Sequence, residues 1–208
     1  MPNSSVAQPS TTVTGTVVGP EPTGVPGIDD ADAFCASWVR YSGSVQAVAI
    51  AAAFGGVDGL ALARLEVLSA PAQLAAIDGI AAAWPSALEG EREVVQADLV
   101  GPFARRAQKA IDALRSAGAS DAQLDALALH WLDALRVRDA GDPVVQVPPL
   151  TPNLDALVEA AASAFDASVT PFPDDPSLNT VVAATPATDA YLAEQCPALA
   201  DQGIGDAV

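Results

Sequence analysis

An all-α fold is predicted by three features of the chain. Apolar residues recur at steps of three and four in successive stretches, alanine supplies much of the apolar content, and no two strand-like runs can pair into a substantial sheet. The expected form is an antiparallel helical bundle of about four main helices with shorter ones appended, behind a disordered N-terminal tail. The 208 residues divide into a linker over 1–28, one helical domain over 29–200 and a fraying end over 201–208.

The first helix lies within residues 29–54. Phe34, Trp38, Tyr41, Val45, Val48 and Ala52 stack on one face, and Asp29, Asp30 and Asp32 place negative charge and a cap at its N-terminal end. Gly55-Gly56 ends it. Leu60, Leu62, Leu65 and Leu68 mark a second helix, which Pro71 interrupts. A separate helix is expected over 71–83, with Ser69 as its cap and Leu74, Ile77, Ile80 and Trp84 inward.

A long third element starts near Ser86 and should be kinked or split by Gly101-Pro102, then end at 116–118. Ser120 and Gln123 form a capping box for the fourth helix, packed through Leu124, Leu127, Trp131, Leu132 and Leu135 and stopped before Gly141-Asp142-Pro143. Residues 144–152 read as extended because Pro148-Pro149 excludes helix. Leu154, Leu157, Val158, Ala161 and Phe165 give a fifth helix. The Pro- and Asp-containing loop over 167–185 is long for a compact domain, and is either a cover over the core or a functional loop. The last helix begins at Pro186, with Tyr191, Leu192, Cys196 and Leu199 inward.

Twenty-six acids against nine bases give a net charge of −17, which argues against nucleic acid and anionic membrane as partners. Every Lys and Arg lies between Arg40 and Arg138, and the segment from Asp139 onward is acidic without a base. The stretch 43–63 is the one long apolar window, but Gln46, Gly55-Gly56, Asp58 and Gly59 break it, so no membrane insertion of the domain is expected. Residues 2–27 carry one charge, Glu21, in a Ser/Thr/Val/Gly/Pro background, the composition of an extended tether; Asn3-Ser4-Ser5 matches a glycosylation sequon by chance. No basic-then-apolar leader follows Met1, and the tail reads as that of a mature exported form.

The two cysteines sit in the first and last helices. An even count, an export-like tail and their placement favour a Cys35–Cys196 disulfide; the alternative is two small core thiols that never meet. Three short motifs, Phe34-Cys35-Ala36-Ser37-Trp38 with Tyr41, Ser69-Ala70-Pro71-Ala72-Gln73-Leu74, and Asp189-Ala190-Tyr191-Leu192-Ala193-Glu194-Gln195-Cys196-Pro197, resemble a loose group of secreted or lipoprotein-like actinobacterial proteins. That resemblance spans about residues 30–200. It implies an exported helical bundle tied by a terminal disulfide, and carries over no functional residues.

No catalytic constellation, cofactor or metal site is predicted. His130 is the only histidine, and Walker and nucleophile-elbow motifs are missing. Gly55-Gly56-Val57-Asp58-Gly59 follows a helix and reads as a turn between helices, not a phosphate loop. Arg105, Arg106, Lys109 and Arg115 should meet carboxylates such as Asp98, Asp112 or the acidic C-terminal third, the functional alternative being a small anionic-ligand site. Asp133 and Arg136 are set to pair with His130 or each other. Asp174-Asp175 with Asn179 offers too few oxygens for calcium.

Trp38, Trp84 and Trp131 come from different helices and either meet in one core or line a cavity, for which Trp84, His130 and Trp131 are the candidate pocket residues. The expected function is a non-catalytic exported binding or scaffold module at the cell envelope with a protein partner. The alternative is a carrier that holds a small apolar ligand between helices.

Overall fold

The computed structural model describes residues 24–57, 59–138, 144–178 and 182–200, and among them the protein is all helical with no strand. The helices are α1 (Ala33–Phe54), α2 (Gly59–Ala82), the single turn α3 (Arg92–Val94), α4 (Gly101–Ser116), α5 (Asp121–Arg136), α6 (Pro152–Asp166), α7 (Pro186–Gln195) and the short α8 (Pro197–Ala200). Residues 1–23, the 141–143 stop signal, Asn179 and the 201–208 end lie outside the described residues.

Helix α2 is the centre: it packs against α1, α4, α5 and α6. Pro71 does not divide it. The 24-residue helix runs straight through that proline, so the expected separate helix over 71–83 does not form. Proline in a helix interior costs roughly 3 kcal/mol through the lost N–H and the clash with the preceding turn. Burial outweighs that cost, because Leu62, Val67, Leu68, Ile77 and Ile80 are all inside, and each such side chain contributes about 1.5–3 kcal/mol. Only a continuous rod lets residues on both sides of Pro71 reach four neighbours. Close approach matters too: a Cβ on Gly79 would lie 2.4 Å from the Ser37 Oγ of α1.

Helix α1 starts at Ala33, where the Asp32 carboxylate accepts from the Phe34 and Cys35 N–H groups. Asp29 has a different job from the one its position suggests. It takes two hydrogen bonds of 2.8 Å from Arg136 at the end of α5, clamping the chain just before α1 to that helix. The folded domain also begins earlier than residue 29. Val25 and Ile28 are buried, and the Val25 N–H donates to the Leu135 carbonyl at 3.0 Å, so residues 24–28 belong to the domain and not to the linker.

The element after α2 splits as Gly101-Pro102 predicts. Residues 86–99 wind through 3-10, α and π turns before α4 begins with proline in its first turn. The Ser120–Gln123 capping box opens α5. Residues 144–151 are irregular and form no strand. The 43–63 window is not one helix but the end of α1, a turn and the start of α2. By length and composition α2 is the described helix able to cross a membrane, although 61% of its apolar window is buried inside the protein.

Cys35 and Cys196 form a disulfide with a Cα–Cα distance of 5.3 Å, joining the start of α1 to the end of α7 across 161 residues. Both ends of the described domain meet here: a Cβ on Gly27, whose φ is +76°, would lie 2.4 Å from the Ala198 side chain. Reducing the bridge is expected to lower the Tm by on the order of 10 °C, since closing so long a loop stabilises by up to about 5 kcal/mol in the chain-entropy model. Hydrogen exchange should accelerate first in α7. Melting and exchange that are the same with and without reductant would show that the bridge contributes nothing.

Candidate functional site

The predicted pocket residues do not assemble. Trp131 is fully buried and donates from Nε1 to the Ser44 Oγ at 2.9 Å, a solid-packed contact between α5 and α1. Next to it, the His130 Nε2 meets the Pro148 carbonyl at 2.8 Å, which pins the 144–151 segment to α5. Trp84 sits past the end of α2, edge-on to Phe34 at 5.6 Å. Its Nε1 is buried without a hydrogen-bond partner among the described residues. Neither of the two cavities described below is lined by Trp84, His130 or Trp131. Trp84 and Trp131 meet α1 about three turns apart, at Phe34 and at Ser44.

Trp84, Phe34, Trp38, Tyr41, Phe103 and Phe172 instead form a run of ring contacts at 5.6 to 6.4 Å, with Tyr191 of α7 also edge-on to Phe34. The run leads from the disulfide end of the molecule to its most concentrated buried charge. There Glu66 of α2 and Arg106 of α4 make a two-point ion pair, with side chains only 8% and 7% exposed. A fork on both carboxylate oxygens favours the ionised form of Glu66. Burial pushes the Glu66 carboxyl above its ordinary 4.5, and the Arg106 guanidinium pulls against that rise.

The remaining Arg106 nitrogen donates to the Thr170 carbonyl at 2.9 Å and to the Asp175 carboxylate at 2.7 Å. The Phe165 and Phe172 rings lie 5.4 and 5.6 Å from the guanidinium carbon. The described first part of the long loop, 167–178, is therefore a cover, held down by Arg106 and Phe172. Beneath it lies a void of about 10 Å³, bordered by Glu66, Gln73, Arg106 and Phe165, which has room for about one water. Sequence reasoning ranked Arg106 with the other bases; nothing in the spacing distinguished it, although Glu66 as the one acid within the 59–77 part of α2 was a signal. Arg115 pairs with Asp121 at 3.3 Å, and Asp133 pairs with Arg136 at 2.7 Å. Asp175 is committed to Arg106 and Ser177 rather than held open for a cation.

A second cavity is of ligand size. About 280 Å³ opens between α2, the 147–150 segment and the start of α6. Leu65, Leu68, Val147 and Leu150 make it apolar, Pro148 and Pro149 wall one side, and Arg64 and Asp155 stand at the rim. Arg64 bridges to Asp155 at 2.5 Å and to Glu159 at 3.2 Å. Among the described residues no group of three or more His, Cys, Asp or Glu side chains is placed to hold a metal ion.

Elsewhere, Glu91 acts as a cap for a helix distant in sequence. Its carboxylate accepts from the Ala187 and Thr188 N–H groups at 3.0 and 2.8 Å and from the Thr188 hydroxyl at 2.8 Å, fixing the start of α7. Partial desolvation works to raise its pKa, yet those hydrogen bonds outweigh it and hold the carboxyl below 4.5. A lowered carboxyl pKa gives stabilisation that is present above 4.5 and is lost as pH falls through the depressed folded value. Amide protection at 187 and 188 should fall in that acid window in the wild type, and should be weak at every pH in Glu91→Gln. Protection that is equal in both proteins would remove Glu91 from the hold on α7.

No protein-family model, no curated protein and no solved structure matches the chain.

Proposed function

We propose that the protein is a non-catalytic helical module that acts at the cell envelope by binding a protein partner, exported like the actinobacterial proteins its short motifs resemble. The Cys35–Cys196 bridge carries this reading, because such bonds persist in oxidising compartments and are rare in a reducing cytosol. The buried charges support the non-catalytic half: Glu66, Arg106 and Asp175 satisfy one another beneath a closed loop with space for about one water. A carrier of a small apolar ligand is the second reading, and the 280 Å³ apolar cavity favours it. In that case its seat is beside Leu65 and Leu68, not between Trp84 and Trp131.

Purified protein with its disulfide intact should be retained by an envelope fraction above an acidic control of the same composition and scrambled order. Retention no better than the control would sink the module reading. Native mass spectrometry of gently extracted protein decides between the two: a stoichiometric small molecule that travels with the chain favours the carrier.

A further inference from the structure

Near the cavity between α2 and the 147–150 segment, further apolar side chains stand exposed. At the α1–α2 turn, Phe54 is 78% exposed and Leu60 41% exposed, among the few large apolar side chains left in solvent. The extended segment starts against that turn, since the Val144 Cγ2 lies 2.6 Å from where a Cβ on Gly55 would stand. Three residues later it forms the wall of the cavity with Val147 and Leu150. One helical turn separates Leu60 from Arg64 at the rim. Exposed apolar side chains at the tip and the apolar lining of the cavity thus lie along one stretch of α2 and the 144–150 segment, an elongated arrangement that suits a chain with one anchoring side chain better than a compact molecule.

Charge sets the rest of the partner's chemistry. Arg64 is shared by Asp155 and Glu159, so one cation faces two carboxylates and the rim retains one negative charge. The wall elements, residues 144–151 and α6, contain no Lys or Arg, and the whole chain carries −17. We propose that this surface docks an extended peptide segment of a partner protein, with a large apolar side chain seated against Leu65, Leu68 and Val147 and flanking Lys or Arg residues at Asp155 and Glu159. The site rests on the binding-module reading and supplies its location and partner chemistry.

Three labelled pentapeptides test it by fluorescence polarisation: Lys-Leu-Lys-Leu-Lys, Lys-Ser-Lys-Ser-Lys and Glu-Leu-Glu-Leu-Glu. The first is expected to bind with a Kd below about 1 mM and the other two far more weakly. The amide shifts it causes should map to residues 60–68, 147, 150 and 155–159. Val147→Asp should weaken it by about tenfold, and the surface change Glu159→Lys by a smaller factor, which keeps the test alive if Val147→Asp fails to fold.

Equal binding of the serine peptide would overturn the proposal, since it would show diffuse attraction to an acidic protein. Shifts elsewhere, or no binding of any peptide, would overturn it as well. So would dodecylamine binding in the cavity where no peptide does, an outcome that favours the carrier. Envelope retention that survives in Val147→Asp and Glu159→Lys would discard this surface and leave the module reading standing; retention lost from neither protein because neither had it would discard both.

Discussion

The pair between Glu66 and Arg106 is the constraint on which the arrangement of helices depends. Helix α2 is surrounded by four others, and a carboxylate on its buried face is cut off from bulk water. Such a charge is strongly destabilising unless a partner is fixed opposite it. Arg106 supplies that partner from α4, which sets the rotation of α4 against α2. Its last nitrogen then reaches Thr170 and Asp175, so the loop after α6 must fold down over the same place. One buried carboxylate in this way sets the mutual position of α2, α4 and the covering loop.

At the opposite end the constraints are covalent and capping. The disulfide holds α7 to α1, Glu91 holds the first turn of α7, and Asp29 with Arg136 holds the chain entry to the end of α5. The ring contacts from Trp84 to Phe172 connect the two ends through the interior. With polar chemistry occupied inside, the region of the α1–α2 turn and residues 147–150 is one place where apolar groups remain exposed.

Local signals were legible in the sequence. Asp32 and the Ser120–Gln123 box cap the helices they were expected to cap, Gly101-Pro102 splits its element, and the stripe from Phe34 to Val48 is the buried face of α1. Each depends on residues within one or two turns. What depended on distant partners was not legible. Pro71 looks like a break until the burial on both sides of it is counted against its cost. Trp84 and Trp131 look like a pair until α2 and α5 are placed, and Arg106 cannot be told from Arg105 until Glu66 stands opposite. Residues 24–28 share the composition of the tail, and only the Val25 contact to Leu135 shows them to be part of the domain.

A double-mutant cycle on Glu66 and Arg106 tests the central claim most directly. Chemical denaturation of Glu66→Met, Arg106→Met and the double variant would be compared with wild type. If the pair organises the fold, Arg106→Met, which strands the carboxylate, costs about 3–5 kcal/mol and the double variant recovers much of that loss. Little change on breaking the pair, or a double variant whose loss is the sum of the two single losses, would contradict the account.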